Sequence, residues 1–191
     1  MPGSYTTANK TSLEILDALL KESYYSELSA VGVTFDILFA FATKNEQGEK
    51  TGPALKDRGY PCNGVVSITP LKYRVRGMSD AEIILDGDNW TKLSPEQQRA
   101  LIDHEVRHIV VSRSMNGDVI TDSFGRPKLK LALHHIQTGW FVDVAKRNGA
   151  ASAEVEQATQ IFAQYKQELF GFVGSVKGSK KKALADKPEE A

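Results

Sequence analysis

The chain has 191 residues, 24 basic and 24 acidic side chains, 41% hydrophobic residues, one cysteine and four histidines. At about 150 residues per domain this is one domain with a tail, able to bury roughly 70% of its unfolded surface. Zero formal net charge argues against a dedicated nucleic-acid binder, and a lone Cys62 cannot form an internal disulfide. The opening MPGSYTTANK lacks the apolar core of a signal peptide, and no apolar run approaches a membrane span. These features fit a soluble cytoplasmic protein with no membrane partner.

Residues 1–11 read as a flexible N-terminus. Ser12 can cap a first helix running to about Ser29, with Leu13, Leu16, Leu20 and Tyr24 at helical spacing. Val33, Phe35, Ile37, Phe39 and Phe41 then alternate as a strand, and Leu38 and Ala40 make its second face apolar, as in a central strand. Lys44 to Pro53 is a polar loop, Ala54–Arg58 a single helical turn, and Val65–Thr69 a short β-branched strand closed by Pro70. Ala81–Asp86 is a further strand, ended by Asp86-Gly87-Asp88.

The next helix carries the clearest start signal in the chain. Ser94 is its cap, Pro95 occupies the first helical position and Gln97 completes a capping box, which predicts a helix from Pro95 to about Ser112. Val119–Thr121 and Lys128–Leu133 read as the arms of a hairpin. Helices follow over about Thr138–Asn148 and from a Ser152 cap, with Val155, Ala158, Phe162, Tyr165 and Leu169 as a core stripe. Residues 174–191, GSVKGSKKKALADKPEEA, are aperiodic and Lys-rich, and predict a disordered tail.

All four histidines fall in two clusters, HEVRH (104–108) and His134–His135. His104 and His108, four residues apart on a helix, lie about 40° apart around its axis, so both imidazoles can reach one metal ion. Glu105 lies beside them, where a carboxylate can take a proton from an activated water and hand it to a leaving amine. Zn²⁺ is the cofactor that such a set suits, because two histidines, a third protein ligand and an open position bring bound water to a pKa near about 7. A purely structural metal site needs four protein ligands, and no cysteine pair exists to supply them.

The third ligand has two candidates. By the alternation of KLKLAL, His134 shares a face with Lys128, Lys130 and Ala132, whereas His135 shares the face of Leu129, Leu131 and Leu133. This favours His134 as ligand and His135 as the inward or supporting residue. Asp122 and Asp143 are the nearby acidic candidates, Asp143 also as a partner to a ligand imidazole.

The ordered segments ALKDRGYP, DAEIILDGDNW, LSPEQQRALIDHEVRH and DSFGRPKLKLALHHIQTGWF resemble the phage metallopeptidase family, small HExxH proteins of bacteriophages and prophages whose layout is related to the SprT-type zinc peptidases. The resemblance spans Ala54 to Gly149, about half of the chain. It implies His104, His108 and His134 as metal ligands and Glu105 as general base. The chain departs from the family at His135, where Asp is more usual.

The fold expected is α+β and zincin-like: a small mixed or antiparallel sheet packed on the HExxH helix, with C-terminal covering helices, over residues 12–173. The function expected is a zinc-dependent metallopeptidase acting on a protein or peptide substrate, in the host cytoplasm if phage-encoded. Two other readings stand beside it: a catalytically silent metal-binding protein regulating a host pathway, and a SprT-like DNA-associated protease, which the neutral charge disfavours. An edge strand beside the motif helix would bind substrate by backbone pairing, and Ala81–Asp86 is the candidate. Tyr60 and Tyr73 could stabilise an oxyanion, Arg107 reads as a surface charge, and Trp90 and Trp140 read as core anchors.

Overall fold

A computed structural model describes residues 2–133, 149–151, 155–156 and 158–163. Contacts divide the chain into Met1–His134 and His135–Ala191. In chain order the first part contains β1 (Pro2–Thr7), α1 (Lys10–Leu20), a 3₁₀ turn (Ser23–Tyr25), α2 (Ser26–Ala30), β2 (Phe35–Ala42), β3 (Lys56–Asp57) and β4 (Tyr60–Pro61). It continues with β5 (Gly64–Ile68), α3 (Leu71–Arg74), β6 (Ala81–Asp86), α4 (Gly87–Trp90), α5 (Pro95–Arg107), β7 (Ile109–Val111) and β8 (Leu129–Leu131). In the second part Gly149–Ala151 forms a 3₁₀ turn, and residues 155–156 and 158–163 are helical, within the last helix expected from sequence. The helix expected over Thr138–Asn148, with Trp140 and Asp143, and the tail from residue 174 lie outside the described residues.

The architecture is α+β around a mixed four-stranded sheet of order β1-β2-β6-β5. β2 runs parallel to β6, while β1 and β5 pair antiparallel to them at the two edges. β2 is central, as its two apolar faces require. Ile37 and Phe39 join Ile83 and Leu85 on one face, with Leu16 and Leu19 of α1 and Ile102 and Val106 of α5. Ala40 and Ala42 look the other way, onto Ala54 and Leu55. Trp90 is buried at 5.3 Å from the Phe39 ring, as a core anchor should be.

Several local expectations are corrected. Residues 2–7 are not a flexible lead-in, because their backbone satisfies the free edge of β2. Asn9, not Ser12, caps α1: its side chain accepts the Ser12 N–H at 2.9 Å, and the Ser12 hydroxyl turns back to the Asn9 carbonyl. α1 stops at Leu20 rather than near Ser29. Residues 54–58 make no helical turn. The pair Arg58-Gly59 takes positive φ (48° and 91°), the conformation of a tight hairpin turn, and joins β3 to β4.

The capping box of α5 forms in full, with Gln97 N–H to Ser94 Oγ at 3.3 Å and Ser94 N–H to Gln97 Oε1 at 2.9 Å. The helix ends at Arg107 rather than Ser112, since the β-branched run Ile109-Val110-Val111 leaves it to pair with Leu129–Leu131. The KLKLAL strand is therefore partnered by β7, and Val119–Thr121 contributes only isolated bridges to Arg113 and Pro127. β6 occupies its expected residues but is internal, held by β2 on one side and β5 on the other. The edge strand on this side of the sheet is β5.

A buried ionic cluster anchors the chain leading into β8. Arg74 pairs with Asp80 and lies 3.3 Å from Asp122, and it donates to the Pro127 carbonyl at 3.0 Å. Arg126 reaches Asp80 at 2.8 Å and the carbonyls of Arg74 and Met78. Asp80 also accepts from Thr34 N–H and Oγ, both at 2.9 Å, at the mouth of β2. Burial alone would push the Asp80 carboxyl up, but hydrogen bonds from Thr34, Arg126 and Arg74 hold it below the usual carboxylate range.

Replacing one partner of such a cluster strands buried charge. Arg74→Met should cost about 3–5 kcal/mol in urea unfolding, and a value under 1 kcal/mol would contradict the assignment. Asp80 has a depressed folded pKa, so its contribution is present above the ordinary carboxylate pKa of about 3.9 and is lost as pH falls through the lower folded value. Acid unfolding should therefore be steeper in the wild type than in Asp80→Asn below about pH 4.

Candidate metal centre

The last turns of α5 carry the HExxH residues. His104 and His108 stand one turn apart with ring centroids 5.1 Å from each other in an edge-to-face arrangement. His104 is exposed and His108 half-buried. The two imidazoles therefore lie next to each other at the helix end.

His108 is held by a strand that follows it by 24 residues. Its Nδ1 lies 2.8 Å from the Ala132 carbonyl. A carbonyl only accepts, so Nδ1 carries the proton and the lone pair of the neutral ring is on Nε2. Ala132 returns a second bond, its N–H donating to the His108 carbonyl at 2.7 Å. This is the outer support that a ligating histidine requires, and it fixes the tautomer suited to coordination through Nε2.

Glu105 faces inward. It is 4% exposed and packs against Gly64, the first residue of the edge strand β5. A Cβ on Gly64 would lie 2.6 Å from Glu105 Oε1, so only glycine lets the strand approach this carboxylate so closely. Burial, reinforced by the nearby carboxylate of Asp57 on β3, raises the Glu105 pKa to about 7. Cys62, two residues before Gly64, is half-buried, and burial together with Asp57 and Glu105 pushes its thiol up. A buried carboxyl whose pKa is raised toward neutrality can take up and release a proton.

On the opposite side of the helix, the Tyr25 hydroxyl donates to the Asp103 carbonyl at 3.1 Å and to the Asp103 carboxylate. Its burial, with Asp103 as second cause, drives the phenol pKa up. This contact pins the residue preceding His104 to the 3₁₀ turn at Ser23–Tyr25.

The other sequence candidates are placed as follows. Asp122 is engaged by a turn and by an arginine. It accepts from the N–H groups of Phe124 (2.8 Å) and Arg126 (3.1 Å), and serves the turn and the Arg74 cluster. Tyr60 is exposed on the hairpin that carries Asp57, and Tyr73 lies in α3 beneath the Lys72 ammonium at 4.8 Å. Arg107 is exposed. His134, His135 and Asp143 lie outside the described residues. No group of three or more His, Cys, Asp or Glu able to hold a metal forms among the described residues. The roles of Gly64, Asp57 and Ala132 were missed from sequence; a glycine opening a β-branched strand was the only signal for any of them.

Residues 9–165 match the family model described as putative phage metallopeptidase, and the chain belongs to that family. Membership implies a metal cofactor and protein substrates. No curated protein matches the chain. No solved structure matches it either. No helix among the described residues is long and apolar enough to cross a membrane.

Gly64→Ala should lower stability by about 1–3 kcal/mol, because the new methyl overlaps the Glu105 carboxyl. The penalty should largely vanish when Gly64→Ala is made in a Glu105→Ala background. Equal penalties in the two backgrounds, by thermal unfolding, would refute the contact.

Proposed function

We propose that this protein is a zinc-dependent peptidase whose metal is held by His104, His108 and His134, with His135 as the alternative third ligand, and whose general base is Glu105. The observation that carries the reading is the pair of adjacent imidazoles at one helix end, one of them oriented by Ala132, with the buried carboxyl of Glu105 between them in sequence. The donor set fits a borderline metal that favours imidazole nitrogen. Zinc in this position would polarise the scissile carbonyl and acidify a water.

The protein's own contribution is proton handling and alignment. Glu105 accepts the proton of the attacking water and delivers it to the leaving nitrogen. Gly64 keeps the carboxyl at a fixed place against β5. The Ala132 carbonyl holds the His108 ring in one tautomer throughout. β5, as the terminal strand of the sheet and the neighbour of Glu105, is the edge onto which an extended peptide can add by backbone pairing. The order of strands supports the zincin-like layout, with an antiparallel edge strand beside the motif helix. The family's name supports a phage-encoded protein, and the same reading has it act in the host cytoplasm.

Metal analysis of the purified chain should find one zinc per molecule, lost in His104→Ala, in His108→Ala and in one of His134→Ala or His135→Ala. Glu105→Gln should retain zinc but cleave a peptide library about 10²- to 10⁴-fold more slowly than the wild type. A chain that takes up no zinc, or a Glu105→Gln variant with undiminished cleavage, would reject the proposal.

A further inference from the structure

One short segment between α1 and β2 reaches across to α5 and to the chain that follows it. Glu22 pairs with Arg99, and Glu27 pairs with Arg113 at 2.7 Å. Between them the Tyr25 hydroxyl meets both the carbonyl of Asp103, at 3.1 Å, and its carboxylate. The two ion pairs are nearly half exposed, and solvated pairs of that kind hold little. Tyr25 differs from them. Its ring is buried in the main core, in the same cluster as Ile102 and Val106 of α5, and its hydroxyl is bonded at the residue directly before His104.

Successive residues of an α-helix turn by about 100°, so Asp103 and Glu105 leave α5 on nearly opposite sides, with His104 midway. Glu105 is seated against Gly64 of β5 on one side, and Asp103 is tied to Tyr25 on the other. In helical geometry the Asp103 carbonyl also accepts the Arg107 N–H, closing the turn that carries His104 and leads into His108. Contacts on two opposed sides resist a roll of the helix about its own axis.

Roll is the movement that a metal centre on this helix tolerates least. A rotation of about 10° carries a side-chain atom roughly 6 Å from the axis through about 1 Å, where a preorganised site allows roughly 0.5 Å. The Ala132 carbonyl orients the His108 ring, but the direction in which His104 leaves the helix follows from the backbone alone. We infer that Tyr25 is a positioning residue for the candidate metal centre: its hydroxyl, acting through Asp103, fixes the roll of the last turns of α5 and so the direction in which the imidazole nitrogens are presented. The inference rests on the metal reading above.

Zinc affinity of the full chain, measured by competition with a chromophoric chelator well below the unfolding temperature, tests it. Tyr25→Phe keeps the ring in the core and removes only the hydroxyl. It should bind zinc about tenfold more weakly than the wild type. Ile83→Val, a small loss to the same core on β6, should bind it as the wild type does. Asp103→Ala removes the partner from the other side, and adding Tyr25→Phe in that background should cost much less than it does alone. Unchanged affinity in Tyr25→Phe, equal weakening in Ile83→Val, or a full tenfold further loss in the Asp103→Ala background overturns the positioning role and leaves the metal reading standing. A wild type that takes up no zinc rejects the metal reading instead. The imidazole NMR signals of His104 and His108 in the metal-free protein then decide the role of Tyr25: they move in Tyr25→Phe and hold in Ile83→Val if the hydroxyl sets the helix, and an unmoved pair in Tyr25→Phe refutes it.

Discussion

The candidate centre depends on one pair of hydrogen bonds, those between His108 and Ala132. The C-terminal end of a helix is where backbone carbonyls run out of intrahelical partners, and His108 occupies that end as the cap of α5. Ala132 satisfies its carbonyl and orients its ring in one stroke. The return strand is only three residues long, and its approach is set by the Arg74–Asp80–Arg126–Asp122 cluster upstream. A buried charge cluster and a short β ladder thus serve the same end: they deliver a carbonyl to an imidazole 24 residues away.

Glu105 shows the opposite economy. A solvated carboxylate would be more favourable for the fold, yet here it is enclosed by β5 and faced with Asp57, both of which oppose its charge. Gly64 makes the enclosure sterically possible. Burial of this kind lowers stability and raises basicity together, a combination found where a group must hold and release a proton near neutral pH.

Much of the architecture was legible along the chain. The capping box of Ser94 and Gln97 announced α5, the alternation of β2 announced a central strand, and β6 was bounded by its own turn residues. The errors have a common cause, which is competition between local preference and distant partners. Ile109–Val111 sits within reach of a helical pattern but takes strand geometry because Leu129–Leu131 offers a ladder. Ala81–Asp86 cannot be told from an edge strand by its residues, because edge status is a property of what lies beside it. Residues 2–7 carry no pattern of their own and become a strand only because β2 has an unpaired side.

By itself the sequence determined the spacing of His104, Glu105 and His108, since helical periodicity is a local property of 3.6 residues per turn. It also determined that these residues stand on a well-capped helix, and it supported the family to which the chain belongs. Only tertiary structure decided that Glu105 is buried against a glycine from β5, that the His108 proton sits on Nδ1, and that Asp122 serves an arginine cluster rather than the centre. Those outcomes rest on contacts between residues at least 24 positions apart, and no local pattern encodes which partner arrives.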